Sequence, residues 1–186
     1  MTLLILGLIL WTAAHLFKRL APGVRGAMQD KMGDASKGVV ALALVASVVL
    51  IVIGYRSADS EFLWGRSVAT TGINNLMMLA AVALFGLGSS KSRLRSKFRH
   101  PMLWGTVVWA VAHLLVNGDV ASIILFGWIA VWALVEMQVI NRSDETYVPY
   151  AGGSAMGDAR LAIIALVIYG ILAGIHTWLG YFPFGG

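Results

Sequence analysis

Cysteine is absent from the 186 residues. That excludes disulfides, thiolate-ligated zinc, iron–sulfur clusters and thiolate nucleophiles. Charge is scarce as well: 12% of the chain is charged, against about 25% in an ordinary soluble domain. With a mean hydropathy of +0.80, that deficit puts most of the chain in lipid. Acidic residues number 9 against 14 basic ones, a net charge of +5. The excess does not imply nucleic acid, because the basic residues sit in short loops beside apolar runs, a pattern of membrane orientation. Serine-hydrolase elbows, phosphate-cradling glycine loops and zinc-protease helices are also missing. Asp30, Asp34, Asp144 and Glu145 fall in loops and read as solvated carboxylates.

What is present is apolar sequence in span-sized pieces. A helix crosses a bilayer in roughly 20 residues. Six segments approach or meet that length, 2–17, 38–55, 68–88, 101–116, 120–140 and 160–179. The expected fold is therefore all-α, a polytopic transmembrane bundle of about six spans in a single domain, 1–186. The first run has no basic stretch before it, and Lys18 and Arg19 follow where a cleavage site would lie, so it reads as a retained span. Lys18, Arg19, Arg25, Lys31 and Lys37 follow span one, Lys91, Arg93, Arg95, Lys97 and Arg99 follow span three, and Arg142 and Arg160 follow span five. Only Arg56 and Arg66 lie on the other side. The basic side is the cytoplasmic one, so both termini are expected outside, in a multi-pass protein of the cell inner membrane.

Between spans one and two, Leu20, Val24, Met28 and Met32 recur every fourth residue among charges. An interfacial helix and a solvated loop both suit this pattern. Asn117-Gly118-Asp119 makes a tight link that turns spans four and five into a hairpin. Gly170 and Gly174, with Ala173 and Thr177, allow close helix approach on span six. Trp64, Trp104 and Trp178 fall near segment ends as interface anchors. Trp109, Trp128 and Trp132 lie deeper, where they pack or wall an aromatic or polyene ligand.

Polar side chains inside lipid are costly and mark function by default. Here they are His15, His113, His176, Asn74, Asn75, Asn117 and Glu136, with His100 at the entrance of span four. Imidazole without thiolate suits haem iron, zinc or copper. The plainer reading of each histidine is a hydrogen bond to a neighbouring helix. At 1.5 Å per residue, His113 lies roughly 18 Å further along span four than His100. His15, His100, Arg99 and Glu136 then share one layer, and His113, His176, Asn74, Asn75 and Asn117 share another. His113 with His176 is the better-matched pair. Thr106, Trp109, Ala110, His113 and Asn117 follow one helix face. Ala110 leaves room there for a flat cofactor or another helix, and Asn117 is placed to take the imidazole proton. A polar seam between helices is the alternative.

Arg99-His100-Pro101-Met102-Leu103-Trp104-Gly105, and then Trp109-Ala110-Val111-Ala112-His113-Leu114-Leu115-Val116-Asn117-Gly118-Asp119, resemble the NnrU family. Its members carry R-H-P-x-x-x-G followed by W-A-x-A-H-L-x-x-N-G-D. His15, the basic loop before Arg99, Phe126-Gly127 and a histidine in the last span also fit, so the likeness covers nearly the whole chain. The family is named for an association with bacterial nitrite and nitric oxide reduction. It is similar to the 15-cis-zeta-carotene isomerase of plants and cyanobacteria, a membrane enzyme using haem b. The two iron-ligating histidines of that enzyme correspond to His15 and His113. Ala110 stands where it has a proposed alternative cysteine ligand, and Tyr55 stands near a third important histidine. These departures separate the chain from that enzyme's redox-dependent ligand switching. More weakly, R-H-P-x-x-x-G resembles a helix start of isoprenylcysteine methyltransferases and sterol reductases, which bind a cofactor at the cytoplasmic face. The pattern completing those sites is not found after Glu136.

Resemblance thus implies His15 as the partner of His113, whereas depth implies His176. The leading expectation is haem b ligated by His113 and His15, with His176 as the rival and Asn117, Arg99 and His100 as further cofactor-binding candidates. The bilayer and a small apolar or gaseous ligand are the expected partners. Nitrogen-oxide redox metabolism or an isomerase-like reaction would be the activity. The competing classes are a non-enzymatic assembly or transport component, and a cytoplasmic-face methyltransferase or reductase relative.

Overall fold

The computed structural model describes residues 1–144 and 146–185, so Glu145 lies outside the described residues. Among them are seven α-helices, α1 (Thr2–Leu20), α2 (Pro22–Met32), α3 (Ala35–Arg56), α4 (Val68–Leu87), α5 (Pro101–Val116), α6 (Val120–Ser143) and α7 (Ala155–Trp178). Lipid offers the backbone no hydrogen-bond partners, so apolar runs of this length satisfy their amides internally as helices. Local signals set the boundaries. Pro22 and Pro101 open α2 and α5, where a missing amide hydrogen costs nothing. Ser67 and Thr70 form a reciprocal cap on α4, and Asp119 and Ser154 cap α6 and α7 through Ser122 N–H and Gly157 N–H.

Five helices, α1, α3, α4, α6 and α7, are long and apolar enough to cross a membrane. The expected fourth span, α5, is apolar but stops at 16 residues, about 24 Å at 1.5 Å per residue. The mostly helical bundle agrees with the expected fold class, with lipid-compatible residues such as Leu42, Val45, Ile163 and Val167 on its outer surface. The stretch after α1 is a helix, α2, with no buried residue.

The helices pack in an antiparallel series. α1 lies along α3, α3 also touches α6, α4 lies along α5, α5 along α6, and α7 rests chiefly on α4. Gly54 lets α3 close onto the backbone of Leu3 and Leu4, and at Gly7 an added Cβ would stand 2.7 Å from the Ile51 nitrogen. By contrast, nothing lies within 4 Å of a Cβ added at Gly170 or Gly174. The expected close-approach motif of the last span is thus unused among the described residues.

One feature departs from an all-α description. Phe62–Trp64 (β1) pairs antiparallel with Gly118–Asp119 (β2), Phe62 opposite Asp119 and Trp64 opposite Gly118. This bridge ties the α3–α4 connection to the α5–α6 turn, and Trp64 also donates its indole N–H to the Leu114 carbonyl at 3.0 Å. It defines a bridge end of the bundle, shared with Met1 and the chain after α7. The opposite, basic end carries α2 and a 3-10 turn at Arg93–Lys97. The core, Leu4, Leu8, Ala121, Ile129, Trp132 and Ala133, fills the space between α1 and α6.

Candidate functional site

Toward the bridge end, α3, α4, α5, α6 and α7 enclose a cavity of about 260 Å³ whose walls include His113, His176, Asn74, Asn75, Asn117 and Tyr55. The chain beyond α7 folds back over it. Asn75 Nδ2 donates to the Pro183 carbonyl at 3.2 Å, and Arg66 Nη1 donates to the Phe182 carbonyl at 2.8 Å.

The histidines share one local arrangement. The Nδ1 atoms of His15, His113 and His176 lie 2.9, 2.9 and 2.7 Å from the carbonyls of Trp11, Trp109 and Leu172, each four residues earlier. A carbonyl only accepts, so Nδ1 is the donor. In the neutral ring Nε2 is then left with its lone pair, the state of a metal-ligating imidazole. The donor of each ring is thus spent on its own helix, not on a neighbouring one. Phe126 stacks on His113 at 4.8 Å between centroids and 29° between planes, and Trp109 lies at 4.9 Å.

One expectation is corrected here. Asn117 does not receive the His113 ring proton; its Nδ2 instead donates to the His113 carbonyl at 2.8 Å. Ala110 is fully buried within the bundle, in line with the second of its two expected uses, close approach of another helix.

His15 lies outside these walls. Its ring packs 4.2 Å from Trp11 and 4.7 Å from Trp132, next to the core. Nearby, Arg19 Nε stands 3.7 Å from Glu136 Oε1. Glu136 Oε2 and the indole nitrogens of Trp11 and Trp132 are buried without a partner. The structure thus brings His113 to His176 and not to His15. The reason is depth: His15 sits at the level of Trp132, whereas His113 sits beside Phe126, almost two turns earlier in α6.

Arg99 and His100 are engaged at the basic end. His100 Nε2 is 2.8 Å from Asn141 Oδ1. Arg99 Nη2 is 3.5 Å from the Asp144 carboxylate, and its guanidinium lies over the Tyr147 ring at 4.7 Å. The pair clamps the start of α5 to the end of α6 and the loop after it. Among the described residues, no three His, Asp or Glu side chains cluster as a metal site would require.

Sequence reasoning missed the support behind Tyr55. Its hydroxyl lies 2.8 Å from Ser122 Oγ, which donates to Asp119 Oδ2 at 2.6 Å. Ser60 Oγ donates to Asp119 Oδ1 at 3.1 Å. Burial acts to raise the Asp119 carboxyl, yet hydrogen bonds from Ser122, Ser60 and the Ala121 N–H together hold it below the usual carboxylate range. The one legible part was the Asp-x-x-Ser helix cap at 119–122.

Comparison with known proteins adds one finding. The family described as NnrU protein matches residues 3–183. The chain belongs to the NnrU family. No curated protein and no solved structure matches it. Within this NnrU protein, the block quoted above supplies both the basic-end clamp, through Arg99 and His100, and the cavity wall, through His113 and Asn117.

Proposed function

We propose that this NnrU protein is an inner-membrane haem b protein whose cofactor is held at the bridge-end cavity, with His113 as first ligand and His176 as second. One observation carries the reading. His113 and His176 line the same cavity with Nδ1 fixed by a backbone carbonyl and Nε2 left bare. The donor set fits iron, since neutral imidazole is a common haem ligand. The volume is the demanding part. About 260 Å³ falls below the range of about 300–1,000 Å³ usual for small-molecule sites, so the group would need its walls to open. α7 buries only Gly157, Leu161, Ala165 and Ala173 of its 24 residues, so little packing holds it in place.

Bound iron would supply electron transfer or the binding of a small gas or polyene, while the protein supplies ligands and a dry pocket. Phe126 and Trp109 hold the His113 ring in orientation, and Met78 and Leu172 supply apolar parts of an otherwise polar wall. Nitrogen-oxide redox metabolism, or an isomerase-like reaction on an apolar polyene, is the corresponding role. Orientation follows from charge. Of 14 Lys and Arg, only Arg56 and Arg66 lie on the bridge side, which puts the cavity toward the outside with both termini.

A purely structural role for His113 and His176 is less favoured, because neither spends its ring donor on a neighbouring helix and both line the cavity. The methyltransferase or reductase reading is less favoured too, because Arg99 and His100 are occupied by Asp144, Tyr147 and Asn141. The test is purification with haem supplied, followed by an absorption spectrum and iron analysis. A Soret band with about one iron per cavity is expected. A colourless, iron-free protein overturns the reading.

A further inference from the structure

Gly7 turns one face of α1 to α3. The opposite face, with Ile5, Ile9, Thr12 and Leu16, forms an apolar groove with α6 on the outer surface of the bundle. Its two stretches, about 570 and 390 Å³, share Thr12 and Trp128. Trp128 crosses between them as a rib. Its indole N–H donates to Thr12 Oγ1 at 2.9 Å, and Thr12 Oγ1 donates to the Leu8 carbonyl at 2.9 Å. The polar groups of the rib are thus spent on each other and on the backbone. Gly127 lines the groove beside the rib, and a Cβ added there meets nothing within 4 Å.

The groove is charged at one end only. On α6 its lining residues Ile124, Trp128, Val131 and Val135 follow the three-and-four spacing of one helix face, and that face continues through Gln138 to the exposed Arg142. On α1 the lining reaches Leu20, next to Arg19, whose Nη1 donates to Ser143 Oγ at 2.8 Å. Both arginines therefore stand at the basic end. Glu136 lies 3.7 Å from Arg19 Nε and offsets part of that charge, so Arg142 is the stronger of the two. From Ile9 to Leu20 the groove runs about 17 Å at 1.5 Å per residue. That is close to one leaflet of a hydrocarbon core about 30 Å thick.

We infer that the α1–α6 groove holds an acyl chain of an anionic phospholipid, with the phosphate at Arg142 and Arg19. The apolar length matches a chain lying along the helices, and the guanidinium groups match a phosphate at the membrane surface. A second copy of the chain suits the groove less. A two-fold axis along the membrane normal would bring the arginines of both copies to one level, like charge against like. A neutral apolar molecule would leave both arginines unused. The site is separate from the histidine cavity and stands whether or not that cavity holds haem.

The test uses the purified full chain in detergent micelles, with phosphatidylglycerol and phosphatidylcholine of identical acyl chains as probes. Native mass spectrometry should show phosphatidylglycerol retained more tightly than phosphatidylcholine. Arg142→Gln should weaken phosphatidylglycerol about fivefold and leave phosphatidylcholine unchanged. Arg160→Gln, on α7 and away from the groove, should change neither. Gly127→Leu fills the groove and should lose both lipids. Phosphatidylglycerol with brominated chains should quench a saturable part of the tryptophan fluorescence, and Trp128→Phe should lack that part. Should Gly127→Leu fail to fold, the Trp128 quenching and the Arg142→Gln contrast decide. Equal retention of the two lipids, quenching unchanged in Trp128→Phe, or a dimer that Gly127→Leu dissociates overturns the inference.

Discussion

The two ends of the bundle carry similar residues and use them differently. At the basic end, His15 is wedged between Trp11 and Trp132, and Arg99 and His100 are bound to Asp144, Tyr147 and Asn141. At the bridge end, His113 and His176 face a cavity with their Nε2 atoms bare. All three membrane histidines satisfy Nδ1 in the same way, and aromatics pack on both His15 and His113, so the difference lies in the cavity that His113 and His176 line and His15 does not. Only at the bridge end does helix packing leave open space beside the imidazoles, among the described residues.

The comparison breaks most sharply where backbones touch. Gly54→Val would push a side chain into the Leu3–Leu4 backbone, beneath the core that separates the two ends. It should cost about 3 kcal/mol or more, seen as a collapse of the thermal midpoint in micelles. Next comes the basic-end pair. Arg19→Met leaves the buried Glu136 carboxylate without its cation, a loss of about 1–3 kcal/mol after allowing for the part-exposed guanidinium. Adding Glu136→Leu should restore most of that loss, and neither change should alter ligand binding at the cavity.

Asp119→Asn tests the support behind Tyr55: it keeps a cap acceptor for Ser122 N–H but removes the carboxylate that the Ser122 and Ser60 hydroxyls donate to, and should cost about 1 kcal/mol. Its pH signature has a fixed sign. The folded carboxyl lies below its unfolded value of about 3.9, so its contribution is present above that pH and is lost as pH falls through the depressed folded value. Wild type should lose stability in acid by a component that Asp119→Asn lacks, measured as midpoint against pH. Smallest of all, Gly174→Ala meets open space and should stay within about 0.5 kcal/mol of wild type.

Much of the frame was legible in sequence because lipid permits few solutions. Apolar length and the placement of Lys and Arg marked the helices, and a fixed rise per residue put His113 level with His176. Boundaries were harder. α1 continues through Lys18 and Arg19 to Leu20, and α7 begins at Ala155, because charged residues at span ends reach the interface without ending the helix. The β1–β2 bridge carries too short a pattern to be seen. Asn117 was misassigned because its spacing from His113 fits both the ring and the helix carbonyl, and only the geometry separates them. Tyr55, Ser122 and Asp119 come from two distant segments, so no local motif announces their chain of hydrogen bonds. The unused Gly170 and Gly174 pair shows the reverse case, a motif without a partner among the described residues.

The contrast between the ends meets its most direct test in the haem absorption spectra of wild type, His113→Ala, His176→Ala and His15→Ala, normalised to protein. The account predicts that His113→Ala abolishes the Soret band, that His176→Ala shifts or weakens it, and that His15→Ala leaves it intact. Loss of the band in His15→Ala, with His176→Ala indistinguishable from wild type, would contradict it.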